Sequence, residues 1–159
     1  MQPIVNQVAQ MLTEKGLTIA VAEACTAGYV GHLLCAPAGA SAYFWGGVIA
    51  YSGGSKRKLL GVSDELQQQY TSVSPEVALD MARKVRQVMD TDIGISTTGV
   101  TGPGQGHSNR PLGFFYIGLA TRDGHEHALD FQWDGDRMST KEQTAYAALG
   151  MVRDYVSQR

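Results

Sequence analysis

Cysteine is scarce in this sequence, with Cys25 and Cys35 alone among 159 residues. If a helix runs between them, the two lie roughly 15 Å apart at the helical rise per residue. That exceeds the reach of a disulfide, so both are expected as free thiols in a reducing compartment. Positive charge is not in excess either: 13 Lys and Arg stand against 15 Asp and Glu, a net charge of −2. A broad basic surface for nucleic acid is thereby excluded, although Lys56-Arg57-Lys58 forms a small basic cluster. No apolar run approaches the roughly 20 residues of a membrane span. The opening Met1-Gln2-Pro3-Ile4-Val5 has neither the charged region nor the apolar stretch of a secretion signal. The expectation is a cytoplasmic protein with no membrane or nucleic-acid partner. The four histidines, His32, His107, His125 and His127, show no metal-ligand spacing with cysteines or paired carboxylates. No metal or cofactor is expected, and His125 and His127, beside the Asp123-Gly124 turn, are expected to face solvent.

Glycine, by contrast, is plentiful at 19 residues, and 43% of the chain is apolar. The length fits one domain over residues 1–159 with one core. Ile4, Val5, Val8, Met11 and Leu12 recur at helical spacing and Gly16 stops them, which predicts an amphipathic helix over 3–15. Residues 17–21 read as a buried strand, followed by a helix that carries Tyr29, Val30, Leu33 and Leu34, with Thr26 placed to cap it. Residues 48–51 read as a strand, 52–55 as a loop and 56–60 as a short helix. Ser74 and Pro75 open a helix that runs to about Met89. A strand over 93–98 leads into the glycine-dense loop 99–106. Residues 114–120 and 127–133 form a hairpin around Asp123-Gly124, and Ser139 with Glu142 has capping-box spacing for a last helix. This order predicts an α/β single-domain sandwich, with one mixed sheet between helical layers.

Three stretches combine glycine with hydroxyl or charge, and each follows a predicted strand: residues 22–29, 51–56 and 98–106. Ligands of open α/β sheets bind at loops beyond strand ends, so the three could line one pocket; glycine serving only tight turns is the plainer alternative. The loop TGVTGPGQG is neither a Walker A sequence nor a dinucleotide fingerprint, since no Gly-Lys-Ser/Thr and no helix follow its glycines. Lys56 reads two ways, as a desolvated general base or as a solvated lysine beside Arg57 and Lys58. Glu23 reads as a buried charge or as a partner of a helix N-terminus. Cys25 could be a thiol activated by the helix or a buried inert one.

Taken together, the ordered series Ala22-Glu23-x-Cys25-Thr26-x-Gly28, Pro37-Ala38-Gly39-Ala40-Ser41, Tyr51-Ser52-x-x-x-Lys56, Leu60-Gly61-Val62, Val73-Ser74, Thr98-Gly99-Val100-Thr101-Gly102-Pro103, Pro111-Leu112-Gly113 and Gly135-Asp136-Arg137 resembles the CinA carboxy-terminal domain family and its stand-alone nicotinamide-nucleotide amidohydrolases. The resemblance spans nearly the whole chain. It implies a metal-free hydrolysis of the carboxamide of nicotinamide mononucleotide to the nicotinate form and ammonia, with a serine nucleophile and a lysine base. Carried onto this sequence, it implies Lys56 as the base, with Tyr51 and Thr26 beside it. Glu23, Thr98, Gly99, Thr101, Gly102 and Arg137 become candidates for ligand binding, with a pyridine nucleotide or related small molecule as partner. A homo-oligomer is also expected.

The sequence departs from the family pattern at the reacting centre. The family's turn reads Ala-Glu-Ser-Cys-Thr-Gly-Gly, and its serine is Ala24 here. A methyl group cannot attack a carbonyl, so the covalent step is lost while Lys56 remains. Ala27 replaces the first glycine of the family's pair, and Gly53 stands where the family commonly has asparagine. The expectation is a relative that keeps the fold and part of the pocket but does not deamidate. The alternative is an active amidohydrolase in which Thr26, Cys25 or an activated water replaces serine.

Overall fold

The computed structural model describes residues 2–104 and 108–159; Gln105, Gly106 and His107, which the sequence reading placed in or next to the glycine-dense loop, lie outside the described residues. In chain order the elements are α1 (Gln2–Lys15), β1 (Ile19–Glu23), α2 (Tyr29–Cys35), β2 (Phe44–Ile49), a helical turn α3 (Gly53–Ser55) continuing into a π-helical turn (Lys56–Leu60), α4 (Asp64–Tyr70), α5 (Pro75–Met89), β3 (Ile93–Gly99), β4 (Phe114–Thr121), β5 (Glu126–Gln132) and α6 (Arg137–Ser157). The strands form one sheet in the order β2-β1-β3-β4-β5. β2, β1 and β3 are parallel, while β4 and β5 close the sheet as an antiparallel hairpin. This is the predicted mixed sheet between helical layers.

Side-chain alternation sorts the two layers. Ile19 and Val21 of β1, Ile93 and Ile95 of β3, and Ile117 and Leu119 of β4 pack against α1, α2 and α6. The intervening positions are small: Ala20, Ala22, Gly94, Ser96, Gly118 and Ala120. On that floor α5 lies close. A Cβ on Gly94 would sit 2.1 Å from the Ala82 carbonyl oxygen, and one on Gly118 2.4 Å from that of Ala78. The Ser96 hydroxyl donates to the same Ala78 carbonyl. Ser74 caps α5 by accepting from the Val77 N–H at 3.3 Å, with Pro75 at the first helical position as the sequence predicted.

Several boundaries differ from the sequence reading. β1 starts two residues later and runs on to Glu23, which puts that carboxylate at the end of a buried strand. β2 runs from Phe44 to Ile49, starting four residues before the expected strand; within it Gly46 takes a φ of 125°, and a side chain on Gly47 would clash with the Val21 backbone. α6 begins at Arg137, two residues before the expected capping box: Asp136 is the cap, accepting from the Ser139 N–H at 2.8 Å. His127 does not simply face solvent. It is half-buried, its Nδ1 has no partner among the described residues, and burial holds its pKa below the ordinary value. His125 stacks on Tyr155 of α6. Among the described residues no helix is long and apolar enough to cross a membrane.

Candidate functional site

The carboxyl ends of the three parallel strands converge, with β1 between β2 and β3, so the loops that leave them share one end of the sheet. Chain order reverses at β1, and such a reversal opens a crevice outside the strand ends. The first loop is the turn from Ala24 to Gly28. Ala24 N–H donates to the Thr97 carbonyl at 3.0 Å, which anchors the turn to β3. Ala27 and Gly28 then take left-handed φ values of 50° and 99°.

Glu23, 1% exposed, organises this turn. Its carboxylate accepts from the N–H groups of Gly28 (2.9 Å), Val30 (3.1 Å) and Gly31 (2.8 Å), and from the Thr26 hydroxyl (2.6 Å). Both readings of Glu23 therefore hold at once: it is a buried charge, and it answers the unpaired donors at the start of α2. Thr26 is not the helix cap. Gly28 occupies that position without a side-chain bond, while the Thr26 hydroxyl is held between Glu23 and Thr97 Oγ1, each at 2.6 Å.

The second loop carries Lys56. Ser52 and Ser55 form a reciprocal capping box that starts α3, and the π-helical turn after it rolls Lys56 inward. Lys56 is 2% exposed, while its neighbours Arg57 and Lys58 face solvent and Arg57 pairs with Asp64 at 2.7 Å. The side chain is thus buried and not solvated beside Arg57 and Lys58. Burial lowers its pKa, an effect that the nearby Cys25 opposes. Among the described residues, Lys56 Nζ has no hydrogen-bond or ion-pair partner.

The third loop leaves β3. The Thr98 hydroxyl donates to the Ser72 carbonyl at 2.7 Å, joining this loop to the segment before α5. Gly99 lies where a side chain would strike the Phe115 ring. Arg137, at the first position of α6, donates to the Gly102 carbonyl at 2.7 Å and to the Tyr51 hydroxyl at 2.9 Å.

Together these segments enclose a cavity of about 560 Å³. Ala24, Cys25, Tyr51, Lys56, Thr98, Gly99, Thr101, Gly102 and Arg137 all line it, so most of the residues singled out in the sequence meet there. Glu23 and Thr26 do not line it: they shape the turn from behind. Cys25 reaches the wall, but burial pushes its thiol up to about 12 in spite of the opposing pull of Lys56. Thr101, Gly102 and Arg137 also border a second cavity, of about 480 Å³, toward Trp133 and Asp136. Among the described residues no group of three or more His, Cys, Asp or Glu could hold a metal.

The sequence reading missed one wall, formed by Gln67, Gln68, Thr71, Ser72 and Val73. Its helix, α4, has a signal that would have revealed it: Ser63 followed by Asp64 and Glu65. Ser63 accepts from the Leu66 N–H at 3.1 Å as the helix cap. Gln67 also packs on Gly53. Its carboxamide donates to the Gly53 carbonyl at 3.1 Å, and a Cβ on Gly53 would lie 2.8 Å from its Oε1. The polar group beside the lysine loop comes from another element.

Comparison with known proteins agrees with this architecture. The family model described as CinA C-terminal domain matches residues 1–156. A CinA-like protein of Rippkaea orientalis is 42% identical over 154 residues, covering 96% of this chain and 37% of that protein. A putative competence-damage inducible protein of Halothermothrix orenii is 40% identical over 151 residues, covering 95% of this chain and 37% of that protein. The chain thus spans a little over a third of the length of these curated relatives. Among solved structures, a competence-damaged protein (CinA) superfamily protein from Klebsiella pneumoniae superposes with a TM-score of 0.95 at 25% identity, covering 99% of this chain and 98% of that one. The competence/damage inducible protein CihA from Agrobacterium tumefaciens gives 0.92 at 27% identity, covering 98% of this chain and 94% of that one. With the model matched over nearly its full length, the chain belongs to the CinA C-terminal domain family.

Proposed function

We propose that this domain binds a pyridine nucleotide or a related small anion in the Lys56 cavity without hydrolysing it, and serves as a binding or regulatory relative of the nicotinamide-nucleotide amidohydrolases. The observation that carries this reading is that Ala24, at the position of the family's serine, and buried Lys56 line the same cavity. The lysine of the family pattern is present, and the serine hydroxyl at position 24 is not. The two side chains that could replace serine are poorly disposed to do so. The Thr26 hydroxyl already donates to Glu23 and lies outside the lining, and the Cys25 thiol, pushed up to about 12, holds its proton at neutral pH. A ligand with negative charge suits the cavity, whose described lining contains Lys56 and Arg137 but no carboxylate.

One observation favours a second reading, slow hydrolysis by an activated water. An unpaired, desolvated amine facing an open cavity can take a proton from water as well as from serine.

Titration calorimetry with nicotinamide mononucleotide, run beside an ammonia-release assay at high protein concentration, tests the proposal. Binding without ammonia is expected. Ammonia release that disappears in Lys56→Ala favours the second reading, and no heat at millimolar nucleotide overturns the ligand. Cytoplasmic location and self-association are further parts of this reading, the latter to be decided by light scattering.

A further inference from the structure

The geometry points to Lys56 as a carbonyl-capturing amine, which forms an imine with small aldehydes or ketones that carry an anionic group. This inference rests on the cavity assigned above, but not on a pyridine nucleotide as its occupant.

Three observations converge. Lys56 is 98% buried, since 2% of it is exposed, yet it lines an open cavity of about 560 Å³, so a small molecule can reach a side chain that bulk water barely touches. Buried lysines are ordinarily paired with a carboxylate, but among the described residues Lys56 Nζ has no such partner and the described lining holds no Asp or Glu. Finally, position 24 on the cavity lining is Ala24, so the serine that the family pattern places there does not compete for an electrophilic carbon. A desolvated lysine is an activated nucleophile, because its uncharged form has a free electron pair, and burial does shift this amine toward that form.

The second charge fixes the class of ligand. Arg137 spends one guanidinium nitrogen on the Gly102 carbonyl and another on the Tyr51 hydroxyl, and pairs with no carboxylate among the described residues. Guanidinium has five donors in a planar fork, which leaves capacity for a phosphate or carboxylate. A carbonyl compound with an anionic end can therefore meet the Lys56 amine and the Arg137 guanidinium in one cavity.

The step balances without a redox partner. The Nζ electron pair adds to the carbonyl carbon, the π pair moves to oxygen, and a proton passes from nitrogen to that oxygen to give a carbinolamine. The hydroxyl then leaves with one further proton as water, and the C=N bond closes.

Pyridoxal 5′-phosphate is a suitable probe, with borohydride reduction and peptide mass mapping of the full chain. Lys56 is expected to take the pyridoxyl group at least about tenfold faster than Lys15, Lys58, Lys84 and Lys141, the difference made by lowering one barrier by about 1.4 kcal/mol. Arg137→Gln is expected to lower the ratio of labelling by pyridoxal 5′-phosphate to labelling by pyridoxal, which has no phosphate. Labelling of Lys56 no faster than of the other four lysines overturns the capture, and an unchanged ratio overturns the anionic requirement. Binding of nicotinamide mononucleotide with Lys56 unlabelled overturns only the capture. Labelling without nucleotide binding supports the capture and overturns only that nucleotide as ligand.

Discussion

The Arg137 guanidinium donates to the Tyr51 hydroxyl at 2.9 Å, so that the first turn of α6 meets the segment just after β2 at the edge of the cavity. Both side chains are exposed and neither supports the core. Arg137→Ala is therefore expected to leave the circular dichroism spectrum and melting temperature nearly unchanged. It should weaken binding of an anionic nucleotide by about tenfold or more, the loss of a charge-assisted hydrogen bond. Equal affinity of variant and parent in calorimetry would remove Arg137 from the site.

Ala24→Ser places a hydroxyl at a position that lines the same cavity as Lys56. Alanine and serine differ by one oxygen, and the main-chain anchor from residue 24 to Thr97 is independent of the side chain. Ammonia release from nicotinamide mononucleotide is expected to appear in this variant and to vanish again in the double variant with Lys56→Ala. If it does not appear, the departures at Ala27 and Gly53 have also reshaped the pocket.

Glu23→Ala leaves four donors without their acceptor in a site that is 1% exposed. The expected loss is about 3–5 kcal/mol, as for a broken buried charge network, seen as a lower denaturation midpoint. A loss below about 1 kcal/mol would mean that water replaces the carboxylate.

Ala27 holds a φ of 50° on an exposed turn, a conformation that costs an alanine about 1–2 kcal/mol. Ala27→Gly removes that strain at the expense of a more flexible unfolded chain. A net gain of about 0.5–1 kcal/mol is expected from urea titration, and destabilisation would show that the alanine methyl makes a useful contact.

Lys56 should weaken the fold that it serves. Burial lowers its folded pKa below the ordinary 10.5. Between the lowered value and 10.5 the unfolded chain holds a proton that the folded chain lacks, so stability rises with pH through that window. Below the window the folded state bears the full penalty of a buried charge. Lys56→Met is thus expected to gain about 0.5–2 kcal/mol at neutral pH, a gain that disappears above about pH 10.5. A gain that does not change with pH would assign it to packing alone.

Much of this was legible in the sequence, for identifiable reasons. The short apolar runs of β1, β3 and β4 mark strands, and Ser74-Pro75 is a start signal that tertiary contacts did not override. The three glycine-containing loops could be placed at strand ends, and strand ends of a parallel sheet converge, so their meeting followed from topology. What could not be read depends on partners distant in sequence. The role of Thr26 was misjudged because the N–H groups at the start of α2 are answered by Glu23, from the end of β1, and the sequence could not choose between that role and a plain buried charge for the carboxylate. The state of Lys56 depended on the π-helical turn that rolls it inward between two exposed basic neighbours. The α4 wall was readable from Ser63-Asp64-Glu65, but its helix of seven residues shows too little periodicity to draw attention.

The carboxylate of Glu23 has one more consequence. By gathering three N–H groups and a hydroxyl, it spells out the shape of the turn without reference to the side chain of residue 24, which adds two main-chain bonds, its N–H to the Thr97 carbonyl and its carbonyl to the Ala27 N–H. The fold of the turn and the side chain at residue 24 are therefore specified separately, so that a substitution at position 24 can alter the cavity lining while the carboxylate keeps the backbone in place.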